Sequence, residues 1–243
     1  MHWIEPAWPA PPQVRALTTT RRGGTSSGAY ASLNLAAHVG DRPDCVARNR
    51  ALLIRQARLP AEPLWLEQVH GCEVVDIGAG TAGGRADAAI ARGAGRVCAV
   101  LTADCLPLLL CDRAARAVAA VHAGWRGLAA GVIEAAVARL AVPRQDLLCW
   151  LGPAIGPGAF EVGHEVRRRF VRQDAAAASA FRLRDNGRWL ADLYALARLR
   201  LTTLGIGSVH GGGRCTYSEA QRFFSYRRDG ATGRMASLIW IEG

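Results

Sequence analysis

The sequence predicts a mixed α/β (α+β) fold. Three short apolar runs, at residues 97–103, 106–111 and 117–121, are each bounded by polar or turn-forming residues, as buried strands are. Helical periodicity appears in other parts of the chain, as at residues 128–140. No internal repeat and no convincing linker divides the 243 residues, so we predict one domain over 1–243.

The first third of the chain predicts a short series of elements. Residues 1–14 are rich in Pro and Trp and predict an extended lead-in strand. Residues 18–34 predict a loop, either an exposed connection or a cover over a substrate. Asp44 can cap a helix that runs to about residue 58, before Pro60. Residues 64–69 predict a strand that leads to His70, and residues 78–95, with six glycines, predict a flexible loop.

The second and third apolar runs predict a β-hairpin, because residues 112–115 interrupt them. If Cys111 pairs with Arg116, Cys105 lies directly opposite His122. Opposed residues of an antiparallel pair point to the same face, with Cβ atoms about 4.5–5.5 Å apart. A thiolate and an imidazole at that separation can bind one metal ion.

The rest of the chain predicts further helices and strands. A helix over about 128–140 would present its first N–H groups, with Arg126, as an anion site beside His122. Trp125 either packs in the core or stacks on a substrate ring. Residues 147–151 and 236–241 predict strands, residues 165–172 a helix, and Asp192 caps a helix that ends at Gly205.

Composition limits the classes of function. The chain has a formal charge of +10, all 30 basic residues are arginine, and the absence of lysine excludes Schiff-base chemistry and a P-loop. The arginines are spread along the chain, which argues against a nucleic-acid partner. Seven cysteines without a CxxC pair favour a reducing, cytoplasmic location. No stretch predicts a signal peptide or a membrane span.

His70, Cys105 and His122 are the candidate metal ligands. Zinc prefers four tetrahedral positions, and three protein ligands leave one for water, which is the composition of a catalytic site. Asp104 is a candidate general base or partner of a ligand, or else caps a turn. Two alternatives stay open: a metal-free cysteine–histidine hydrolase, and a structural zinc site closed by His38 as a fourth ligand.

Six stretches of the chain, in this order, carry a resemblance to known proteins: SLNLAAHVGD, LEQVHG, TADCLPLLL, AAVHAGWRGL, LGPAIGPGAFEVG and FFSYRRDGATGRMASLIW. They resemble the YfiH-like proteins, a family formerly described as multicopper polyphenol oxidases (laccase-domain proteins) and later as purine nucleoside phosphorylases. It implies a single domain of mixed sheets with helices outside, layered α/β/β/α. It also implies a zinc site at His70, Cys105 and His122, with copper as a weaker alternative.

The resemblance implies phosphorolysis of adenosine, inosine and methylthioadenosine, together with adenosine deamination. Its alternatives are a hydrolase that edits cytoplasmic peptidoglycan precursors and a polyphenol oxidase; the latter needs more copper ligands than six histidines offer. The expected partners are a purine nucleoside and phosphate, with no membrane and a homodimer as a possible assembly. The predicted substrate-binding residues are Arg21, Asn34, His38, Arg126, Arg214 and Arg227.

Overall fold

The computed structural model describes residues 2–78 and 84–243. The strands are β1 (Trp3–Ile4), β2 (Val14–Thr19), β3 (Val74–Asp76), β4 (Ala88–Arg92), β5 (Val97–Thr102), β6 (Leu106–Asp112), β7 (Ala117–Ala123), β8 (Leu147–Leu151), β9 (Glu161–Val162), β10 (Phe181–Leu183), β11 (Trp189–Ala191), β12 (Ser208–Gly211) and β13 (Met235–Ile241). The helices are α1 (Pro43–Ala57), α2 (Trp125–Ala130), α3 (Val132–Leu140), α4 (His164–Val171), α5 (Leu193–Thr203) and α6 (Tyr226–Asp229).

Two large sheets face each other. The first sheet has the strand order β1-β2-β13-β5, and the second has the order β12-β8-β6-β7-β4-β3. Apolar side chains between the sheets, such as Val100 and Ile239 from the first and Leu109 and Val118 from the second, form one core cluster. A small third sheet has the order β10-β11-β9.

Helices cover the outer faces of both large sheets. Leu53 of α1 packs with Leu101 and Leu238 on the first sheet, and all three are buried. Ile133 of α3 and Leu196 of α5 join the cluster on the outer face of the second sheet. Each fully buried aliphatic side chain stabilises the fold by roughly 1.5–3 kcal/mol. The layers are therefore α/β/β/α, and the predicted α+β class is confirmed.

The hairpin of β6 and β7 forms, but its predicted register is wrong by two residues. Cys111 pairs with Val118, and Pro107 rather than Cys105 lies opposite His122. The shift arises because the Asp112 carboxylate accepts the N–H groups of Arg116 and Ala117, which closes the turn further along the chain. Since side chains alternate with a period of two, the shift leaves the face of each residue unchanged.

Two of the predicted helices differ from the structure in where they begin or break, and α6 was not predicted from the sequence. Asp44 does not cap α1: Arg42 is the N-cap residue, Pro43 begins the helix, and Asp44 lies in its first turn. The helix predicted over 128–140 is divided into α2 and α3 at Gly131, whose φ of 99° is left-handed and interrupts the helix. Asp192 caps α5 as predicted, by accepting the N–H groups of two residues in the first turn.

Several strand predictions need correction. β8 and β13 are confirmed, whereas residues 64–69 form only an isolated bridge between Glu67 and Arg85. The Gln68 amide bonds to the backbone of Leu101, so the segment is held to β5 by a side chain. The loop predicted over 78–95 contains β4, and its residues 79–83 lie outside the described residues. In the described ranges, no helix has the length and apolarity needed to cross a bilayer.

Candidate metal centre

Three potential metal ligands meet at one end of the two sheets. His70 ends the loop before β3, Cys105 occupies the turn between β5 and β6, and His122 lies in β7. One ligand atom from each side chain can be chosen so that all three lie within 4.8 Å of one another. His122 is buried, Cys105 is half-buried and His70 is exposed, so the cluster opens to solvent on one side.

The cluster perturbs the pKa values of its own members. Burial raises the pKa of the Cys105 thiol, but the neighbouring His122 and His70 rings outweigh burial and lower it to about 6. Burial lowers the pKa of His122, but Cys105 and Asp87 outweigh it and raise it to about 9. Without a metal, the site therefore favours a thiolate beside an imidazolium. A thiolate is also the form in which cysteine binds metal.

Gly124 allows the three ligands to approach closely. A Cβ atom at this position would lie 2.8 Å from His70 Nδ1 and 2.9 Å from Cys105 Sγ, closer than real Cβ contacts. Gly124 is also the residue that precedes α2, and no side chain caps that helix. Only glycine leaves room for the cluster at this point.

The cluster forms part of the wall of a cavity of about 450 Å³, a volume within the usual range for small-molecule sites. Both apolar rings and guanidinium groups surround it. The lining residues are His38, Gln68, His70, Leu101, Thr102, Ala103, Asp104, Cys105, His122, Trp125, Arg126, Ile155, Phe160, Tyr226, Arg227 and Arg234.

Asp104 lines this cavity next to Cys105, and both of its carboxylate oxygens accept hydrogen bonds. Oδ1 accepts the Thr216 hydroxyl at 2.6 Å, and Oδ2 accepts the Arg227 N–H at 2.7 Å. Its φ of 90° lies in the left-handed region, which these bonds help to maintain. Asp104 therefore joins the turn that carries Cys105 to the segment that carries Arg227.

Only part of the substrate-binding set lies at the cavity. His38, Arg126 and Arg227 line it, and Trp125 does so while also packing against the core, so its stacking on a substrate ring stays a prediction. His38 is not part of the three-ligand group found among the described residues.

Arg21, Asn34 and Arg214 are not among the residues that line this cavity. Arg21 donates to the carbonyl groups of Ala31 and Ala220, and Arg214 forms an ion pair with Glu219. The fully buried Asn34 accepts the backbone N–H of Arg234, so it contacts a lining residue without lining the cavity itself.

Sequence reasoning missed two charged residues of the site. Arg234 lines the cavity immediately before β13, where the run GRMASLIW gave no sign of a cavity residue. Asp87 contacts His122 directly: Nδ1 of His122 lies 2.7 Å from Asp87 Oδ1. The sequence marked Asp87 only as a polar point in a loop.

The donor set fits one divalent metal ion. A thiolate and two imidazoles are favoured by zinc and other borderline or soft metals. Because Asp87 engages Nδ1 of His122, Nε2 of that ring is the nitrogen left for a metal. The exposed side of the cluster faces the cavity, where a substrate or water could complete the coordination.

Together, these features define a four-layer α+β protein with a candidate His–Cys–His metal centre in a cavity. A family model described as "Multi-copper polyphenol oxidoreductase laccase" matches residues 15–242. The chain is 54% identical over 239 residues to "Purine nucleoside phosphorylase YfiH" of Escherichia coli, covering 98% of each. It is 55% identical over 241 residues to a Pseudomonas aeruginosa protein that is also named a purine nucleoside phosphorylase, covering 99% and 98%.

Solved structures show the same fold. A Neisseria meningitidis protein of the DUF152 family superposes with a TM-score of 0.95 at 51% identity, with full coverage of both chains. YlmD from Geobacillus stearothermophilus gives a TM-score of 0.93 at 32% identity, covering 100% of this chain and 97% of YlmD. The chain belongs to the multi-copper polyphenol oxidoreductase laccase family, whose relatives include proteins named YfiH.

Proposed function

We propose that this chain is a purine nucleoside phosphorylase that holds one zinc ion at His70, Cys105 and His122. The observation that carries the proposal is the opening of this cluster into a cavity of about 450 Å³ that arginines and aromatic rings also line. The names of relatives that are 54–55% identical over nearly the whole chain support the same activity.

The cavity has the groups that a purine nucleoside and phosphate require. Trp125, Phe160 and Tyr226 offer aromatic faces for the base, and Tyr226 is 61% exposed, so a ligand ring can reach it. Arg126 and Arg234 offer guanidinium groups, which bind phosphate oxygens through charge-assisted hydrogen bonds. We propose these two, with Arg227, as the phosphate-binding groups.

In phosphorolysis, the bond between C1′ of the ribose and N9 of the purine breaks, a phosphate oxygen bonds to C1′, and the departing base takes up the proton that the phosphate loses. The products are the free base and ribose 1-phosphate. The arginines would orient the phosphate and offset its charge as it approaches the sugar, and the aromatic residues would hold the base. Asp104 accepts the backbone N–H of Arg227, which fixes the position of this residue in the cavity wall.

We propose adenosine deaminase activity at the same site. When bound, a zinc ion with an open coordination position supplies a polarised water, and water is the co-reactant that converts adenosine to inosine and ammonia. The exposure of His70 supports such an open position.

The free thiols of all seven cysteines support a reducing, cytoplasmic setting.

The donor groups argue against a multi-copper oxidase. Across residues 2–78 and 84–243, the one group of three or more His, Cys, Asp or Glu placed to hold a metal is His70, Cys105 and His122. A multi-copper centre needs ligands for several ions, and these three residues can serve one.

The test is a product assay with adenosine in the presence and absence of phosphate. We expect adenine and ribose 1-phosphate with phosphate, and inosine and ammonia without it. Cys105→Ser should abolish both reactions, whereas Cys72→Ser, a half-buried thiol outside the cavity, should leave them intact. Full activity of Cys105→Ser would refute the proposal. Turnover of a serine-containing muramyl precursor instead of adenosine would support the hydrolase alternative.

A further inference from the structure

We propose that Asp87 is the positioning residue of the metal centre: its one carboxylate orients both histidines, although it is not itself a ligand. This inference rests on the proposed metal site. The observation behind the inference is that four hydrogen-bond donors converge on Asp87. These donors come from the two segments that supply His70 and His122.

On the His70 side, the carboxylate binds the backbone. Oδ2 of Asp87 accepts the N–H groups of Val69 at 3.2 Å and Gly71 at 2.6 Å, and Oδ1 accepts the N–H of His70 at 3.0 Å. His70 has a φ of 59°, a left-handed conformation that a residue with a Cβ atom rarely adopts. Three consecutive N–H groups that point to one anion compensate for that conformation. Asp87 therefore fixes the backbone from which the His70 ring projects.

On the His122 side, the carboxylate binds the ring. Oδ1 of Asp87 lies 2.7 Å from Nδ1 of His122, and the backbone carbonyl of Asp87 accepts the N–H of His122, also at 2.7 Å. These two contacts fix both the position of the residue and the rotation of its imidazole. They also select the tautomer that leaves Nε2 for a metal.

The arrangement requires a carboxylate and not merely a polar side chain. Asp87 is fully buried, and each of its oxygens accepts two of the four hydrogen bonds. An asparagine would replace one acceptor by an NH₂ group that faces other donors, so at least one pair of bonds would be lost. Because both oxygens are already engaged, Asp87 does not take the place of a fourth ligand.

Asp112 is a matched control. It is also fully buried and accepts two backbone N–H bonds and one bond from Arg116, but it lies at the opposite end of the β6–β7 hairpin. Asp112→Asn should therefore reproduce the loss of a buried carboxylate without a change at the metal centre.

The experiment measures Zn²⁺ affinity by chelator competition on metal-free wild type, Asp87→Asn, Asp112→Asn and Cys105→Ser. Thermal unfolding of the metal-free proteins and the visible spectrum of the Co²⁺ forms are recorded alongside. We expect Asp87→Asn to bind Zn²⁺ about 10- to 100-fold more weakly and to alter the Co²⁺ ligand-field bands, while the thiolate-to-cobalt band stays. Asp112→Asn should match wild type in both metal readouts.

The outcomes separate this inference from the metal site on which it rests. Wild-type affinity and an unchanged Co²⁺ spectrum in Asp87→Asn, with a large loss in Cys105→Ser, would overturn the role of Asp87 alone. Wild-type affinity in Cys105→Ser would overturn the metal site itself. If Asp87→Asn does not fold, nitrogen NMR of zinc-loaded wild type decides: we expect His122 to carry its proton on Nδ1, and a proton on Nε2 would contradict the inference.

Discussion

A buried aspartate lies at each end of the β6–β7 hairpin: Asp112 at the turn, and Asp87 beside the other end, immediately before β4. The two aspartates serve different purposes. At the turn, the carboxylate of Asp112 accepts hydrogen bonds from Arg116 and Ala117, four and five residues along the chain. At the other end, Asp87 accepts bonds from donors that are 16 to 35 residues away, including the ring of His122. The same chemical group closes a local turn at one end and assembles distant segments at the other.

The difference separates residues that stabilise the fold from residues that assemble the candidate site. The bonds of Asp112 could form in a short peptide, because its donors are neighbours in the sequence. The bonds of Asp87 form only after the sheet has brought the His70 loop beside β7. Substitutions at the two ends should therefore have different effects. Those near Asp87 should change the binding of metal and substrate, and those near Asp112 should change the stability of the fold.

Among variants that keep all three metal ligands, the largest expected effect is at Gly124, which lies at the site end. Gly124→Ala places a Cβ atom 2.8 Å from His70 Nδ1 and 2.9 Å from Cys105 Sγ, so the ligands must move apart. Overpacking of about 3 kcal/mol corresponds to a loss of about 100-fold in zinc affinity and phosphorolysis. Gly158→Ala, where a Cβ atom meets nothing within 4 Å, is the control. Equal kinetics for the two variants would contradict the close approach.

Two arginines, one at the turn of the hairpin and one in the cavity wall, allow the same comparison of stability with function. At the turn end, Arg116 is paired with Asp112, whereas among the described residues Arg234 forms no ion pair and lines the cavity. Arg234→Gln should lower kcat/KM for phosphate by about 30-fold, because a charge-assisted bond contributes about 2 kcal/mol. Arg116→Gln should leave it unchanged. Initial rates at varied phosphate concentration distinguish these results, and a similar kcat/KM for phosphate in all three proteins would exclude Arg234.

At the turn end, the expected effect is on stability alone. Asp112→Asn should lower the free energy of unfolding by about 1–2 kcal/mol, because a buried acceptor of backbone bonds is replaced in part by a donor. Denaturant unfolding at pH 7 measures this loss, and phosphorolysis at 25 °C should not change. Loss of activity in the folded variant would contradict the expectation that the turn end affects stability and not activity.

The smallest effect is the pH dependence of that loss. Burial raises the pKa of Asp112, but the bonds from Ala117 and Arg116 outweigh burial and hold it below the ordinary value of 3.8. A lowered folded-state pKa contributes stability that is present above pH 4 and is lost as the pH falls through the folded-state value. The difference in stability between wild type and Asp112→Asn should therefore be constant from pH 7 to about 5 and shrink below about 4. A difference that grows on acidification would show the opposite sign of the shift.

Local features of the fold were accessible from the sequence, and features that depend on distant partners were not. The cap of α5 by Asp192 is local and was predicted. The strands β9 to β12 have only two to four residues each, too few for an alternating pattern to be recognised. The segment 64–69 has strand-like composition, but a side chain, Gln68, makes the bonds to β5 that a strand backbone would make.

The candidate site divides in the same way. His70, Cys105 and His122 could be chosen by ligand type and family resemblance, and the structure brings them together even though the predicted register was wrong by two residues. Asp87 and Arg234 were not predicted as site residues, because their roles depend on which backbone groups and which cavity wall they contact in the folded chain. No periodicity or spacing in the sequence encodes those contacts.

The position of β13 has a consequence for synthesis of the protein. This strand lies between β2 and β5 in the first sheet and bonds to both along most of its length. The first sheet is therefore completed only after residues 235–241 have been synthesised, because β13 is the strand that joins β2 to β5. Pairing between segments so distant in the sequence slows folding, since a long loop of chain must close before the strands can bond.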